Sequence, residues 1–281
     1  MSYQIHWFKK NLRFQDNEIL LKTDNSSSIL IYIIEPELWL QKDMSQRQWE
    51  FIWESVKSLK TDLAKHNLHL NILSGDASEI FQTLHQKYSF TKIISEQETG
   101  IHWTYERDKK LKSLFKDLNV DWFEYPYFGV KRGNHNRDHW AGSIQQILKK
   151  PLIKKEKYID HSEILDCEDY VTPVNFYDKT PCPFRQKGGS RQAHDLLETF
   201  LESRGKNYQR EMSSPITAEH SCSRLSPHFA HGTYSLRQAF QLAEKKKFET
   251  QSTNKVFTKS INAFLSRLYW RSHFIQKLED E

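Results

Sequence analysis

The 281-residue sequence predicts an α/β protein in two parts. A parallel-sheet, Rossmann-like domain is expected over residues 1–125, a connector over 126–188, and the first part of an all-helical domain over 189–281. Three observations predict this. Residues 1–125 alternate short, continuously apolar runs with amphipathic stretches, and such alternation builds a parallel sheet covered on both faces. After Gly189 the apolar residues recur at spacings of three, four and seven. Between these regions the periodicity fades into lysine- and proline-rich sequence.

Strands are expected at residues 3–8, 29–34, 68–73, 92–95 and 120–123. The clearest helix spans 46–66, with Trp49, Ile52, Trp53, Val56, Leu59 and Leu63 on one face, and shorter helices cover 77–88 and 104–118. Ligands of such a sheet sit beyond the strand C-termini, which places Lys9 to Arg13, Glu35, Ser74 to Asp76 and Glu96 to Thr99 at that edge. In the connector, "YFGVKRGNHNRDHW" and "QILKKPLIKKEKY" are basic, whereas "VTPVNFYDKTPCPF" is rich in turn formers. In the helical part Ala193, Leu196, Leu197, Phe200 and Leu201 form one stripe. Val256, Ile261, Phe264, Leu265, Leu268, Tyr269 and Ile275 form another, with no apolar closing element after it. Two or three helices would leave such faces uncovered, so the chain reads as part of a longer one.

Composition narrows the function. No apolar run reaches membrane-spanning length, and the opening MSYQIHWFKK lacks the features of a signal peptide, so a cytoplasmic protein with no membrane partner is expected. Three widely spaced cysteines without a CxxC pair argue against a disulfide framework and against a metal site. A net charge of +5 permits nucleic-acid binding, and 13% aromatic residues suit a large core or a planar ligand.

The chemistry concentrates in "SCSRLSPHFAHGTYSLRQ", residues 221–238. Ser226 before Pro227 reads as an N-cap and first helical position, Gly232 ends that turn, and Thr233 or Ser235 can cap the next helix. Two helix starts so close together suit an anion, to which Arg224 could add a bidentate contact; the alternative is a pair of ordinary caps. His228 and His231 beside them are candidate proton donors.

Ordered motifs then point to a family. "IHWFKKNLRFQDNEIL" at the start, "GGSRQAHDLLETFLESRGKNYQRE", "SRLSPHFAHGTYSLRQ" and "FLSRLYWRSHF" together resemble the photolyase/cryptochrome flavoprotein family over most of the chain. The resemblance implies FAD as cofactor, with Tyr208, Cys222, Ser223, Arg224, Leu225, Ser226, Phe264 and Arg271 along it. It also implies catalytic roles for Trp270, at the mouth of a lesion pocket, and for Arg267. Arg267 stands where photolyases carry a carboxylate or amide, and Cys222 where a threonine is common. "ETGIHWTYERD" lacks the polar pair that folate-binding members use, which leaves a second antenna chromophore of unspecified identity.

The implied function is light-dependent repair of pyrimidine dimers by electron transfer from reduced flavin, with damaged DNA as partner. The alternatives are a cryptochrome-type blue-light photoreceptor and a photolyase-like protein without repair activity. Because the family continues past the Trp-Arg helix, the 281-residue chain alone is expected to be inactive and to hold FAD weakly or not at all. Its uncovered helices favour a complementary chain or self-association.

Overall fold

A computed structural model of the chain describes residues 2–126, 129–133, 140–166, 170–173 and 175–280. The chain divides into two compact units, Met1–Tyr125 with Ile153–Gly189, and Pro126–Leu152 with Ser190–Glu281.

The first unit is built on a five-stranded parallel sheet of order β3-β2-β1-β4-β5, with β1 at Tyr3–Phe8, β2 at Ser27–Ile34, β3 at Leu70–Ser74, β4 at Lys92–Glu96 and β5 at Asp121–Tyr125. Residues 29–34 lie inside a buried β2, and β1 is buried from its second residue on, as continuously apolar runs require. β5 is the exposed edge.

Helix α1, Gln46–Ala64, buries Trp49, Ile52, Val56, Leu59 and Leu63 on the expected face. Trp53 stacks on Trp49 at 5.5 Å between ring centres. Helix α2, Ala77–Tyr88, starts at Asp76, whose carboxylate accepts from the N–H groups of Ser78 and Glu79, and ends at Ser89 in the left-handed region. Helix α3, His102–Asp117, buries Thr104, Leu111 and Phe115.

The connector expected over 126–188 is not one segment, because its two halves pack in different units. Tyr158 donates its neighbourhood to the sheet unit: its OH accepts from the Asn17 N–H at 2.8 Å and its ring meets Phe14 edge-on. Arg185 forms ion pairs with Glu50 and Glu54 of α1. Gly188 then lies so close to α1 that an added Cβ would stand 2.0 Å from the Phe51 carbonyl oxygen and 2.4 Å from Ser55 Oγ. Gly188→Ala is therefore expected to lower stability by about 1–3 kcal/mol, read from the denaturant midpoint; an unchanged midpoint would mean that this strap lifts off α1 freely.

The helical unit begins with α4, Trp140–Lys149, whose Ile144 and Leu148 are fully buried. It continues with α5 (Ser190–Glu202), the single turns α6 (Tyr208–Glu211) and α7 (Ala218–Ser221), then α8 (Ser226–Ala230), α9 (Leu236–Thr250) and α10 (Lys255–Asp280). The α5 stripe of Ala193, Leu197, Phe200 and Leu201 packs with Phe257, Ile261, Phe264, Leu265 and Leu268 of α10. "YFGVKRGNHNRDHW" falls partly, and Cys167 wholly, outside the described residues. Cys182 and Cys222 are free thiols. Among the described residues no helix is long and apolar enough to cross a membrane, and no group of three or more His, Cys, Asp or Glu could hold a metal ion.

Candidate functional site

Two clusters carry chemistry, one in each unit. In the sheet unit, the strand order reverses between β1 and β4, and charged residues gather at the carboxyl ends of the central strands. Arg107 of α3 donates to Glu35 after β2 and to Glu98 after β4, both at 2.6 Å, and to Asp108 at 2.8 Å. Lys9, directly after β1, pairs with Asp108 at 3.4 Å and Glu124 at 3.6 Å, and Lys10 pairs with Glu98 at 3.4 Å. Lys9 also lies over the Trp7 and Trp122 rings.

Burial pushes the Glu35 carboxyl up to about 7, although Arg107 pulls it down. Burial opposes ionisation of Glu98 as well, yet Arg107, Lys10 and Lys9 together hold its carboxyl well below the usual range. The cations at this edge already have carboxylate partners, so the residues here fit an anionic second chromophore poorly.

In the helical unit, the segment between α7 and α8 runs through Cys222, Ser223 and Arg224, all half-buried, to the fully buried Leu225. Arg224 adopts the left-handed conformation, φ 62°, which a residue with a side chain takes only where its surroundings enforce it. Ser226 does not cap α8: it is the first helical residue, exposed, while Leu225 occupies the cap position without a side-chain hydrogen bond. Pro227 fixes the first turn instead. Of the two candidate caps for α9, Ser235 takes the role by accepting from the Gln238 N–H at 3.2 Å. Thr233 is diverted to the ring of His228, 2.8 Å away.

Burial lowers His228 to about 4, so it is neutral at pH 7 and is no proton donor there. The Cys222 thiol is raised by burial, against the pull of Arg224 and Arg204.

The predicted site residues fall into two groups. Arg267 and Trp270 form a pair, the guanidinium lying 4.4 Å from the centre of the Trp270 ring, while burial raises the Tyr208 phenol against the opposing charge of Arg267. Trp270 is 49% exposed and keeps a face open to solvent. Phe264 lies inside the core, 4.8 Å from the Phe200 ring. Arg271 turns elsewhere: it donates to the Phe229 carbonyl at the end of α8, at 2.8 Å.

One residue of the site escaped the sequence reading. Arg204 follows α5 and donates to the carbonyls of Cys222, Leu196 and Ser223. Nothing local distinguishes it from a surface arginine; its three acceptors come together only in the fold.

Comparison with known proteins gives a consistent set of likenesses. A family model described as DNA photolyase matches residues 4–126. The chain is 24% identical to cryptochrome-2 of Gallus gallus, over 96% of this chain and 50% of that protein. It is 26% identical to cryptochrome-1 of Macaca fascicularis over 42% of this chain and 20% of that protein. It thus spans half the length of the first of these relatives and matches a fifth of the second. Among solved structures, a cryptochrome from Synechocystis superposes with a TM-score of 0.81 at 17% identity, over all of this chain and 62% of the other. A photolyase from Sulfolobus tokodaii, solved with two FAD molecules, superposes with a TM-score of 0.67 at 21% identity, over 98% of this chain and 59% of the other.

Proposed function

From the premise that this chain belongs to the photolyase/cryptochrome family, we propose that residues 190–281 form one wall of an FAD site and that the protein is a light-dependent DNA photolyase acting on pyrimidine dimers. The observations that carry the reading are the Arg267–Trp270 pair, a half-exposed indole with a cation on its ring, and the loop Cys222–Arg224 of the same unit, whose Arg224 is left-handed. The donor set fits a dinucleotide diphosphate: the Ser223 hydroxyl, the Arg224 guanidinium and the backbone of a turn that no ordinary loop residue would enter unaided.

FAD, when bound, would supply the light-excited electron donor. The chain's own residues do the rest. Trp270 offers a flat face on which an extruded pyrimidine can stack, since a base in a duplex is reached only by turning it out. Arg267, lying on the indole, fixes that face and presents positive charge to the nucleic-acid backbone. Buried Phe264, Phe200 and Tyr208 keep water from the inner side of this wall.

The second reading is a photoreceptor of cryptochrome type. It is supported by the charge of Arg267, which stands where photolyases carry a carboxylate or amide, and by the cryptochrome relatives. Blue-light repair, by the complete protein, of an oligonucleotide carrying one pyrimidine dimer separates the readings. Under the photolyase reading the protein restores the intact sequence, and Trp270→Ala weakens binding of the damaged strand by roughly ten- to a hundredfold, the value of one stacked base. Flavin photoreduction without repair would favour the photoreceptor, and no flavin binding at all would remove both.

A further inference from the structure

We propose that Arg204 is a positioning residue: its guanidinium shapes the Cys222–Arg224 backbone so that main-chain N–H groups face the diphosphate of FAD. The inference rests on the FAD reading above and adds to it a residue that touches no part of the cofactor.

Arg204 stands in the single turn Arg204–Asn207, directly after α5. Nη1 donates to the Cys222 carbonyl, while Nη2 donates to Leu196 O at 2.8 Å and to Ser223 O at 3.4 Å. Its aliphatic and guanidinium surface lies on the Phe200 ring, 5.8 Å from the ring centre. A half-buried guanidinium thus joins the middle of α5, at Leu196, to two consecutive peptide groups of the loop. Removal from water disfavours its charge, and main-chain carbonyls, not a carboxylate, offset that loss here.

The consequence follows from peptide geometry. In a planar trans peptide the C=O of one residue and the N–H of the next point in opposite directions. Drawing the carbonyls of Cys222 and Ser223 toward Arg204 therefore turns the N–H groups of Ser223 and Arg224 away from it. Arg224 is left-handed at φ 62° and Leu225 right-handed at φ −88°, ψ −3°, an alternation that curves successive N–H groups toward one concave side. A phosphate is recognised by such a concavity. The left-handed turn at Arg224 persists only where its surroundings over-determine it, and Arg204 supplies that constraint from the carbonyl side.

The test is an equilibrium titration of the complete protein, as wild type, Arg204→Met and Arg204→Lys, with FAD, with ADP, and with riboflavin, which lacks phosphate. Wild type is expected to bind all three saturably. Arg204→Met should weaken ADP and FAD by about tenfold or more, the effect of losing one strong polar organising contact, and leave riboflavin within twofold. Arg204→Lys, which keeps the charge but not the fork, should fall between. ADP binding within twofold of wild type in Arg204→Met would overturn the inference, and so would an equal loss of riboflavin and ADP, because that pattern reports general damage to the unit. If Arg204→Met does not fold, Arg204→Lys decides alone: it folds with weakened ADP and unchanged riboflavin, or the inference is wrong. A complete wild-type protein that binds neither FAD nor ADP would instead overturn the FAD reading itself, and the inference with it.

Discussion

Arg107→Met is expected to lower stability by about 3–5 kcal/mol, the usual consequence of removing one member of a buried ion cluster. The side chains of Arg107, Glu35 and Glu98 are only 9%, 7% and 6% exposed, and both carboxylates lie 2.6 Å from the guanidinium. Methionine would fill much of the same volume, so the loss would come from two carboxylates stranded at the end of the sheet rather than from a cavity. Loss of the guanidinium's contact with the Trp7 ring, 5.0 Å away, adds to it. Urea unfolding at pH 8 should show a lowered midpoint with an unchanged slope. The deficit should shrink toward pH 5, as the stranded carboxylates take up protons. A change below about 1 kcal/mol at pH 8 would show that water screens the cluster as it screens a surface pair.

Glu35→Gln should act in the opposite direction at high pH. Burial is the largest influence on Glu35 and raises it from an ordinary 4.5 to about 7, with Glu98 and Asp108 adding to the rise and Arg107 opposing it. Tyr32, also buried, faces the same carboxylate. The folded state therefore holds a proton between pH 4.5 and 7 that the unfolded chain releases. Stability from this group is fully present below the lower value and is lost as pH rises through the upper one. Glutamine cannot ionise, so Glu35→Gln should flatten the pH profile in that window and exceed wild type at pH 8 by on the order of 1–3 kcal/mol. Glu98 has the reverse sign: its depressed carboxyl stabilises the fold above the ordinary carboxylate range and loses this as pH falls. The two belong to separate windows because Lys10 and Lys9 reinforce Arg107 at Glu98, whereas at Glu35 the opposing pull named beside burial comes from Arg107. Parallel midpoints for wild type and Glu35→Gln from pH 5 to 8 would refute this assignment.

The strands were legible because continuous apolar runs such as Ile29–Ile34 have few other uses, and the edge position of Glu35 and Glu98 followed from where those runs end. The pairing of Glu35 with Arg107 was not legible, since the partners are 72 residues apart. The segment 126–188 read as a linker because its anchors are distant. Gln241 of α9 takes the carbonyls of Leu148 and Lys150 at 3.0 and 2.7 Å, and Gly188 is explained by the Phe51 carbonyl it must clear. At the candidate site, Tyr208 and Trp270 came from motif order. Ser226 was misread as a cap because Ser-Pro is a good local signal for one, and the left-handed Arg224 immediately upstream overrides that signal by setting the entry of the chain into α8.

The return of the chain to the sheet unit after residue 152 sets an order of events during synthesis. All five strands have been made by Tyr125, yet Tyr158, Ile159 and the strap against α1 are still to come. At about 5–20 residues per second, a nascent chain waits several seconds with Phe14, Leu20 and the outer side of α1 uncovered. Pro126–Leu152 emerges during that interval and must wait longer still, because its partners α9 and α10 are made only after residue 235. Neither unit can therefore finish before the other has begun, and a ribosome paused between residues 125 and 190 would expose two unfinished cores to chaperones at once.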